Sequence, residues 1–119
     1  MNTTNLGRQG ENLAADSYLD KGYTILERNY RFGRSEVDII ARKAKTLAIV
    51  EVKSRTSTYF GDPQSFVTKK QQRSLVLAAD QYVNANGLDV AVRFDIVSIV
   101  FQQKTHKIQI IENAFYPFQ

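Results

Sequence analysis

Apolar residues recur at helical spacing from Leu6 to Lys21, where Leu6, Leu13, Ala14 and Tyr18, with Leu19 beside them, can gather on one side and Gly22 supplies a stop. From Tyr23 to Phe32 the chain turns to β-branched and aromatic residues and predicts a strand. Phe32-Gly33-Arg34-Ser35 reads as a turn. Glu36 to Arg42 and Leu47 to Ser54 then predict two strands joined near Ala44 and Lys45. Arg55 to Pro63, with Phe60-Gly61-Asp62-Pro63, predicts a loop. A second helix is predicted from about Gln64 to Asn86, with Val67, Leu75, Ala78, Ala79 and Tyr82 as its apolar stripe and Gly87 as its end. Val90 to Gln102 predicts a long strand, and Lys107 to Asn113 a peripheral one.

The resulting order is α-β-β-β-α-β with an extra C-terminal strand, an α/β arrangement. Short connections among the first three strands predict an antiparallel meander. The helix before the fourth strand allows a crossover, so the central sheet is expected to be mixed and flanked by helices. With 119 residues, one domain spanning 1–119 is expected. The absence of cysteine excludes disulfides, thiolate metal sites and cysteine nucleophiles. The first residues lack a basic stretch followed by an apolar run, and no apolar run reaches membrane-spanning length, so a cytoplasmic protein is expected. A Ser-His-Asp mechanism would need His106, the only histidine, which falls in the polar turn Lys104 to Lys107. The net charge of +4 suits a polyanionic partner.

The informative chemistry lies on the second and third strands. Side chains two apart on a strand share a face, which pairs Glu36 with Asp38 and Glu51 with Lys53. If the hairpin turns between Ala44 and Lys45, opposed residue numbers sum to 89. Asp38 then faces Glu51, and Glu36 faces Lys53. Opposed Cβ atoms lie roughly 4.5–5.5 Å apart, so two carboxylates placed this way repel, and apolar neighbours add desolvation. A divalent cation between them relieves both, and Mg²⁺ (or Mn²⁺) suits a site of few carboxylates and several waters. Lys53 beside that cation can hold an attacking water or neutralise charge developing on phosphorus, the requirement of phosphodiester hydrolysis. An acid-x-Lys triplet alone means little. The plainer alternative is a cross-strand Glu36–Lys53 ion pair with Asp38 at a sheet edge, which leaves Asp38 facing Glu51 without a counter-charge.

Glu36-Val37-Asp38-Ile39-Ile40-Ala41 followed by Val50-Glu51-Val52-Lys53-Ser54-Arg55 resembles the restriction-endonuclease-like superfamily, whose signature is an acid, a spacer and Asp/Glu-x-Lys. More closely, the chain resembles the YraN family of small, largely uncharacterised candidate endonucleases, relatives of archaeal Holliday-junction resolvases. The likeness also runs through Gly10-Glu11-Asn12-Leu13-Ala14, Gly22-Tyr23, Ile25-Leu26, Arg28-Asn29-Tyr30, Phe60-Gly61, Val67, Lys70-Gln71, Ala78-Ala79 and Arg93-Phe94-Asp95. It implies a restriction-endonuclease-like core, Asp38 and Glu51 as metal ligands with the Val52 carbonyl, and Lys53 as catalytic lysine. It also implies that Glu11 approaches the metal directly or through water, although an acid near a helix start equally suits the helix dipole. Glu36 could support the site or pair with Lys53. Val37 replaces the proline that often precedes the first acid of the signature, and Ser35 replaces a usual glycine. Neither change removes a ligand.

For the substrate, Arg55 lies just past the catalytic strand, and Lys69, Lys70 and Arg73 open the second helix, where free N–H groups can also meet phosphates. Arg31 and Arg34 flank the turn before Glu36. Contacts of this kind favour recognition by shape over sequence. Arg93 and Asp95 read as a structural pair that could orient the loop near Arg55. Gly10 inside a helix costs about 1 kcal/mol relative to Ala, which implies a close approach to the sheet or the substrate. The expected activity is Mg²⁺-dependent cleavage of nucleic acid, DNA foremost and branched DNA by analogy with resolvases. A symmetric dimer would suit cutting two strands, and no membrane contact is expected. The alternatives are a nucleic-acid-binding module that keeps the fold without cleavage, and a structural or partner-binding domain.

Overall fold

The computed structural model describes residues 3–56 and 67–115, with side chains from Asn5 onward. The elements are α1 (Thr3–Asp20), β1 (Thr24–Phe32), β2 (Ser35–Lys43), β3 (Thr46–Arg55), α2 (Lys69–Asn86), β4 (Ala91–Gln102) and β5 (Thr105–Ile111). This is the order expected from the sequence. The predicted loop beyond Thr56, including Phe60-Gly61, and the predicted helix start at Gln64 lie outside the described residues.

The strands form one five-stranded sheet in the order β1-β2-β3-β4-β5. Pairs β1–β2, β2–β3 and β4–β5 are antiparallel, whereas β3–β4 is parallel. A parallel pair needs a crossover, and α2 lies in it. The sheet is therefore mixed. Strand alternation on β3 sorts its residues between two cores. Leu47 and Ile49 pack with Ile40, Phe94 and Ile96 against Leu75, Ala78, Ala79 and Tyr82 of α2. Ala48 and Val50 pack with Ile39, Ala41, Val97 and Ile99 against Ala14, Ala15 and Tyr18 of α1. Each fully buried Ile or Leu contributes ~1.5–3 kcal/mol relative to exposure. The same alternation carries forward to the polar end of β3, leaving Glu51 and Lys53 on the α2 side and Val52 and Ser54 on the α1 side. Among the described residues no helix is long and apolar enough to cross a membrane.

Three local expectations change. Helix α2 begins at Lys69, because Thr68 caps it: the Thr68 hydroxyl accepts from the Gln71 N–H at 3.1 Å, while the Gln71 side chain accepts from the Thr68 N–H at 3.0 Å. Val67 is buried in the core but stands outside the helix. His106 is not a turn residue. It lies in β5 opposite Phe101, and the turn is at 103–104. The Arg93–Asp95 pair forms as expected, while the loop it was expected to orient lies mostly outside the described residues. The buried Asp95 carboxylate takes both Arg93 Nε (2.9 Å) and a terminal Arg93 nitrogen (2.8 Å), the Tyr18 hydroxyl (2.6 Å) and the Asn113 N–H (3.2 Å). Arg93 also donates to the Tyr23 hydroxyl at 2.8 Å. This fully satisfied network fastens α1 to β4, to the lead-in of β1 and to the end of β5. Burial and the neighbouring Asp95 push the Tyr18 pKa up, so its hydroxyl remains a donor.

Gly10 makes the close approach its position implied. A Cβ there would sit 1.8 Å from Ser54 Oγ and 3.1 Å from Ser54 Cβ, so Ser54 would have to turn its hydroxyl aside and β3 would have to give by a few tenths of an ångström. On helix propensity alone Gly10→Ala would stabilise by about 1 kcal/mol. We expect the opposite, a loss of ~1–3 kcal/mol from overpacking, with part of it recovered in Gly10→Ala/Ser54→Gly. Urea denaturation of the three chains measures this.

Candidate active site

The β2–β3 ladder follows the predicted register from Lys43↔Thr46 to Ile39↔Val50 and stops there. One step further, backbone pairing gives way to a side chain: Asp38 Oδ2 accepts the Val52 N–H at 2.7 Å. On its other side β2 is interrupted at the same place. Arg28 pairs with Ile39 and Tyr30 with Val37, while Asn29 and Asp38 between them are unpaired in the ladder, and Asn29 has φ 53°. Asp38 thus stands where the sheet loosens on both flanks, and its carboxyl meets that of Glu51 in a side-chain hydrogen bond. The expected opposition of Asp38 and Glu51 holds. That of Glu36 and Lys53 does not, because the strands have parted: Glu36 pairs with Arg31 at 3.4 Å, and Lys53 with Glu51 at 3.9 Å. The cross-strand Glu36–Lys53 ion pair is therefore not formed.

Burial, followed by the charge and hydrogen bond of Asp38, pushes the Glu51 pKa up to about 8. Burial also raises Asp38, against the lowering effect of the Val52 N–H. Two carboxyls that hydrogen-bond each other need one proton between them. Lys53 does not remove that need. At 3.9 Å its ammonium is beyond hydrogen-bond reach of Glu51. Glu11 is raised as well, by burial first and Asp38 second, with Asn29 and Arg28 acting in the opposite direction. Glu11 lies in the middle of α1, not its first turn, so the helix-dipole explanation for an acid there does not apply.

The cleft beside this pair is about 210 Å³ and is lined by Glu36, Asp38, Glu51, Gln71, Ser74 and Leu75. Given ~30 Å³ per liquid water, it has room for an ion and its inner waters, with a polymer left outside. A larger open hollow of about 670 Å³, beside Leu6, Phe101 and His106, gathers no carboxylate, so size alone does not locate the chemistry. No three His, Asp or Glu side chains among the described residues converge on one point. The protein's offer is two carboxylates sharing a proton, and a hard divalent cation that keeps several waters fits that donor set. Val52 enters the site through its N–H, on Asp38.

Gln71 and Ser74 were not singled out from the sequence, yet they face the carboxylates. The Thr-x-x-Gln capping box placing Gln71 at the first turn of α2 was the available signal, and Ser74 follows at helical i+3 spacing. Ser74 also donates to Ser35 at 2.7 Å, so the serine that replaces a usual glycine ties α2 to the start of β2. Lys69, Lys70 and Arg73 are exposed on the same opening turns of α2. Arg55 is not: it is half-buried, its Nε is out of water, and burial lowers its pKa.

The uncharacterised protein family UPF0102 matches residues 10–99, a stretch that contains Glu11, Asp38, Glu51, Lys53 and all of α2. A UPF0102 protein of Flavobacterium psychrophilum is 47% identical over 113 residues, covering 95% of each chain. One of Christiangramia forsetii is 48% identical over 113 residues, again 95% of each. One of Chlorobium chlorochromatii is 46% identical over 97 residues, 82% of this chain and 75% of its own.

The raised Glu51 pKa has a thermodynamic consequence. Between its ordinary pKa of 4.5 and about 8, the folded chain keeps a proton that the unfolded chain has released. Stability without metal therefore falls as pH rises through that window. We expect thermal melting in chelator to show this decline, Glu51→Gln to flatten it, and Mn²⁺ to raise the melting temperature more at pH 8 than at pH 6. A wild-type profile no steeper than that of Glu51→Gln would contradict the assignment.

Proposed function

The chain belongs to the uncharacterised protein family UPF0102, and from its carboxylate cleft we propose that it is a metal-dependent endonuclease with a restriction-endonuclease-like core, hydrolysing phosphodiester bonds in nucleic acid. One observation carries the proposal: Asp38 and Glu51 are buried against each other where two strands part, with the Lys53 ammonium beside them but not bonded to them.

In this reading Asp38 and Glu51 hold Mg²⁺ or Mn²⁺, with the Val52 carbonyl contributing as the superfamily likeness implies. When bound, the cation neutralises a non-bridging phosphoryl oxygen and acidifies an attacking water. The Val52 N–H fixes one oxygen of Asp38 and so leaves the other to turn into the cleft. Lys53 keeps its N–H donors for the attacking water or for the phosphoryl oxygens, where negative charge grows as water adds to phosphorus and the bond to the leaving oxygen breaks. Glu11, within electrostatic range of Asp38, approaches from α1 through water, as the superfamily likeness implies. Lys69, Lys70 and Arg73 meet neighbouring phosphates at the mouth. The small cleft suits a substrate that presents its backbone from outside, and DNA, branched DNA included, is the substrate class the resolvase likeness favours.

Labelled branched, duplex and single-stranded DNA, with RNA alongside, should yield metal-dependent fragments with Mg²⁺ or Mn²⁺ and none in chelator. Asp38→Asn and Lys53→Ala should each lower the rate ~10²–10⁴-fold while melting as cooperatively as the wild type. Equal cutting by these variants would identify a contaminant. Salt-dependent binding of nucleic acid without any metal-dependent product would replace the proposal with a binding module.

A further inference from the structure

Among the described residues the sheet has two free edges, β1 and β5. An edge strand offers unpaired N–H and C=O groups to any further strand, and chains commonly blunt it with charges and bulges. β1 is blunted in both ways. Its pairing shifts register between Ile25 and Glu27, Asn29 interrupts it with φ 53°, and Glu27, Arg28 and Arg31 stand along it. β5 is the opposite case. It pairs with β4 without interruption from Thr105↔Gln102 to Ile111↔Ile96, contains no proline and carries one charged side chain, Lys107. The helices pack mainly over β1, β2 and β3. Residues 105–109 of β5 are all exposed, and Ile108 at the middle is 37% exposed.

This edge also fits a second copy of itself. Two β5 strands laid antiparallel so that all seven residues pair put a two-fold axis at Ile108. Ile108 then meets Ile108 of the other copy, His106 meets Ile110, Thr105 meets Ile111, and Lys107 meets Gln109. No like charges oppose each other. Just beyond the strand ends, exposed Lys104 comes opposite Glu112, once on each side of the axis. A register centred on Lys107 would instead set two ammonium groups against each other, which is destabilising. Glu112 is free to turn. It is half-exposed, and Lys21 and Arg93 stand 4.0 and 3.7 Å from it, too far for a hydrogen bond. On the α1 side, Ile108 and Ile110 border an open hollow of about 420 Å³ with Ser17, Asp20 and Lys21, so the apolar side chains of this edge lie uncovered.

We propose that β5 is a self-association edge, through which two copies of this chain join antiparallel about Ile108 into one continuous sheet. The inference is independent of what the carboxylate cleft does, but it gives the cleft a setting. Side chains opposed on paired antiparallel strands share a face, so both copies of α2 and both clefts lie on one side of the joined sheet. The two β3 strands stand five strand spacings apart, ~24 Å. Two clefts so placed reach one polymer from the same side.

Sedimentation of the full chain over a concentration series should show a reversible monomer–dimer equilibrium. Ile108→Lys opposes two ammonium groups at the axis and should raise the dimer dissociation constant at least about 10-fold. It should still melt cooperatively, because Ile108 already meets water. Lys104→Glu and Glu112→Lys should each weaken the dimer, and an equimolar mixture of the two should associate more tightly than either alone, since the mixed pair restores both opposed charges. The chain has no cysteine, so an introduced thiol reads the register independently. A short bis-maleimide should join Ile108→Cys chains to each other. It should not join Thr105→Cys chains, whose introduced thiols are also exposed but lie ~20 Å apart across the axis. A wild type that sediments as a monomer up to its solubility limit would overturn the inference and leave the edge to a different partner. So would a dimer unchanged by Ile108→Lys, a mixture no tighter than its components, or equal cross-linking at both positions.

Discussion

The rest of the structure is arranged around two carboxyls that the hairpin register brings face to face. Asp38 and Glu51 lie on adjacent antiparallel strands, are withdrawn from water, and cannot both be ionised at low cost. A continuous ladder would have aligned them across a hairpin with nothing to relieve the repulsion. Instead the ladder ends at Ile39↔Val50, and the freed Val52 N–H bonds to Asp38. The strands keep one hydrogen bond at the point of parting, but it is to a side chain, and that bond fixes the Asp38 carboxyl in place. The same parting opens the sheet, so that α2 reaches the carboxyls from one side and Glu11 of α1 comes within electrostatic range of Asp38.

Both helices must be fixed against the sheet for this to work, and each is fixed at more than one point. On α1, Tyr18 is bonded to buried Asp95 and Gly10 lies on Ser54. The two contacts are eight residues apart, ~12 Å along a helix axis, which resists both sliding and rotation, and Glu11 is adjacent to the nearer one. On α2, the capping box sets where the helix begins, Ser74 bonds Ser35, and Tyr30 bonds Gln81 further along. A helix that began at Gln64 without this cap would have no device to place Gln71 and Ser74 beside the carboxyls.

Much of this was legible in the sequence because strand chemistry is local. Alternation and a two-residue turn sufficed to predict the β2–β3 register and the meeting of Asp38 with Glu51. The parting of the strands was not legible. Extending a regular ladder two more residues placed Glu36 on Lys53, whereas the ladder yields to Asp38 and Glu36 turns back to Arg31. The prediction failed where the structure departs from regularity, and that departure forms the site. His106 was misplaced for a simpler reason: a polar run reads as a turn, but on an edge strand such as β5 polar residues face water while the backbone still pairs. Asn29 carried a signal in its residue type, an asparagine in a strand, but that its left-handed backbone lies across from Asp38 only the fold shows. The helix start is the opposite case, since Thr68 and Gln71 spell a capping box that the longer apolar stripe obscured.

The distribution of charge gives the arrangement its direction. The chain carries a net charge of +4, yet Glu11, Glu36, Asp38 and Glu51 influence one another within one small region. Lys53 is close enough to moderate Glu51 and too far to bond it, so the negative character of the cleft persists. Around the opening, Lys69, Lys70 and Arg73 stand in solvent on α2. A uniformly basic surface would attract a polyanion but repel a divalent cation, and a uniformly acidic one would do the reverse. Here the two signs are separated, acids in the cleft and bases on the exposed opening turns of α2. Burial is what permits that separation: the high dielectric of water weakens interactions between exposed charges, while the interior pair interacts through the protein. Withdrawing the carboxyls from water, costly as it is for the metal-free fold, therefore lets a basic protein keep an acidic cleft.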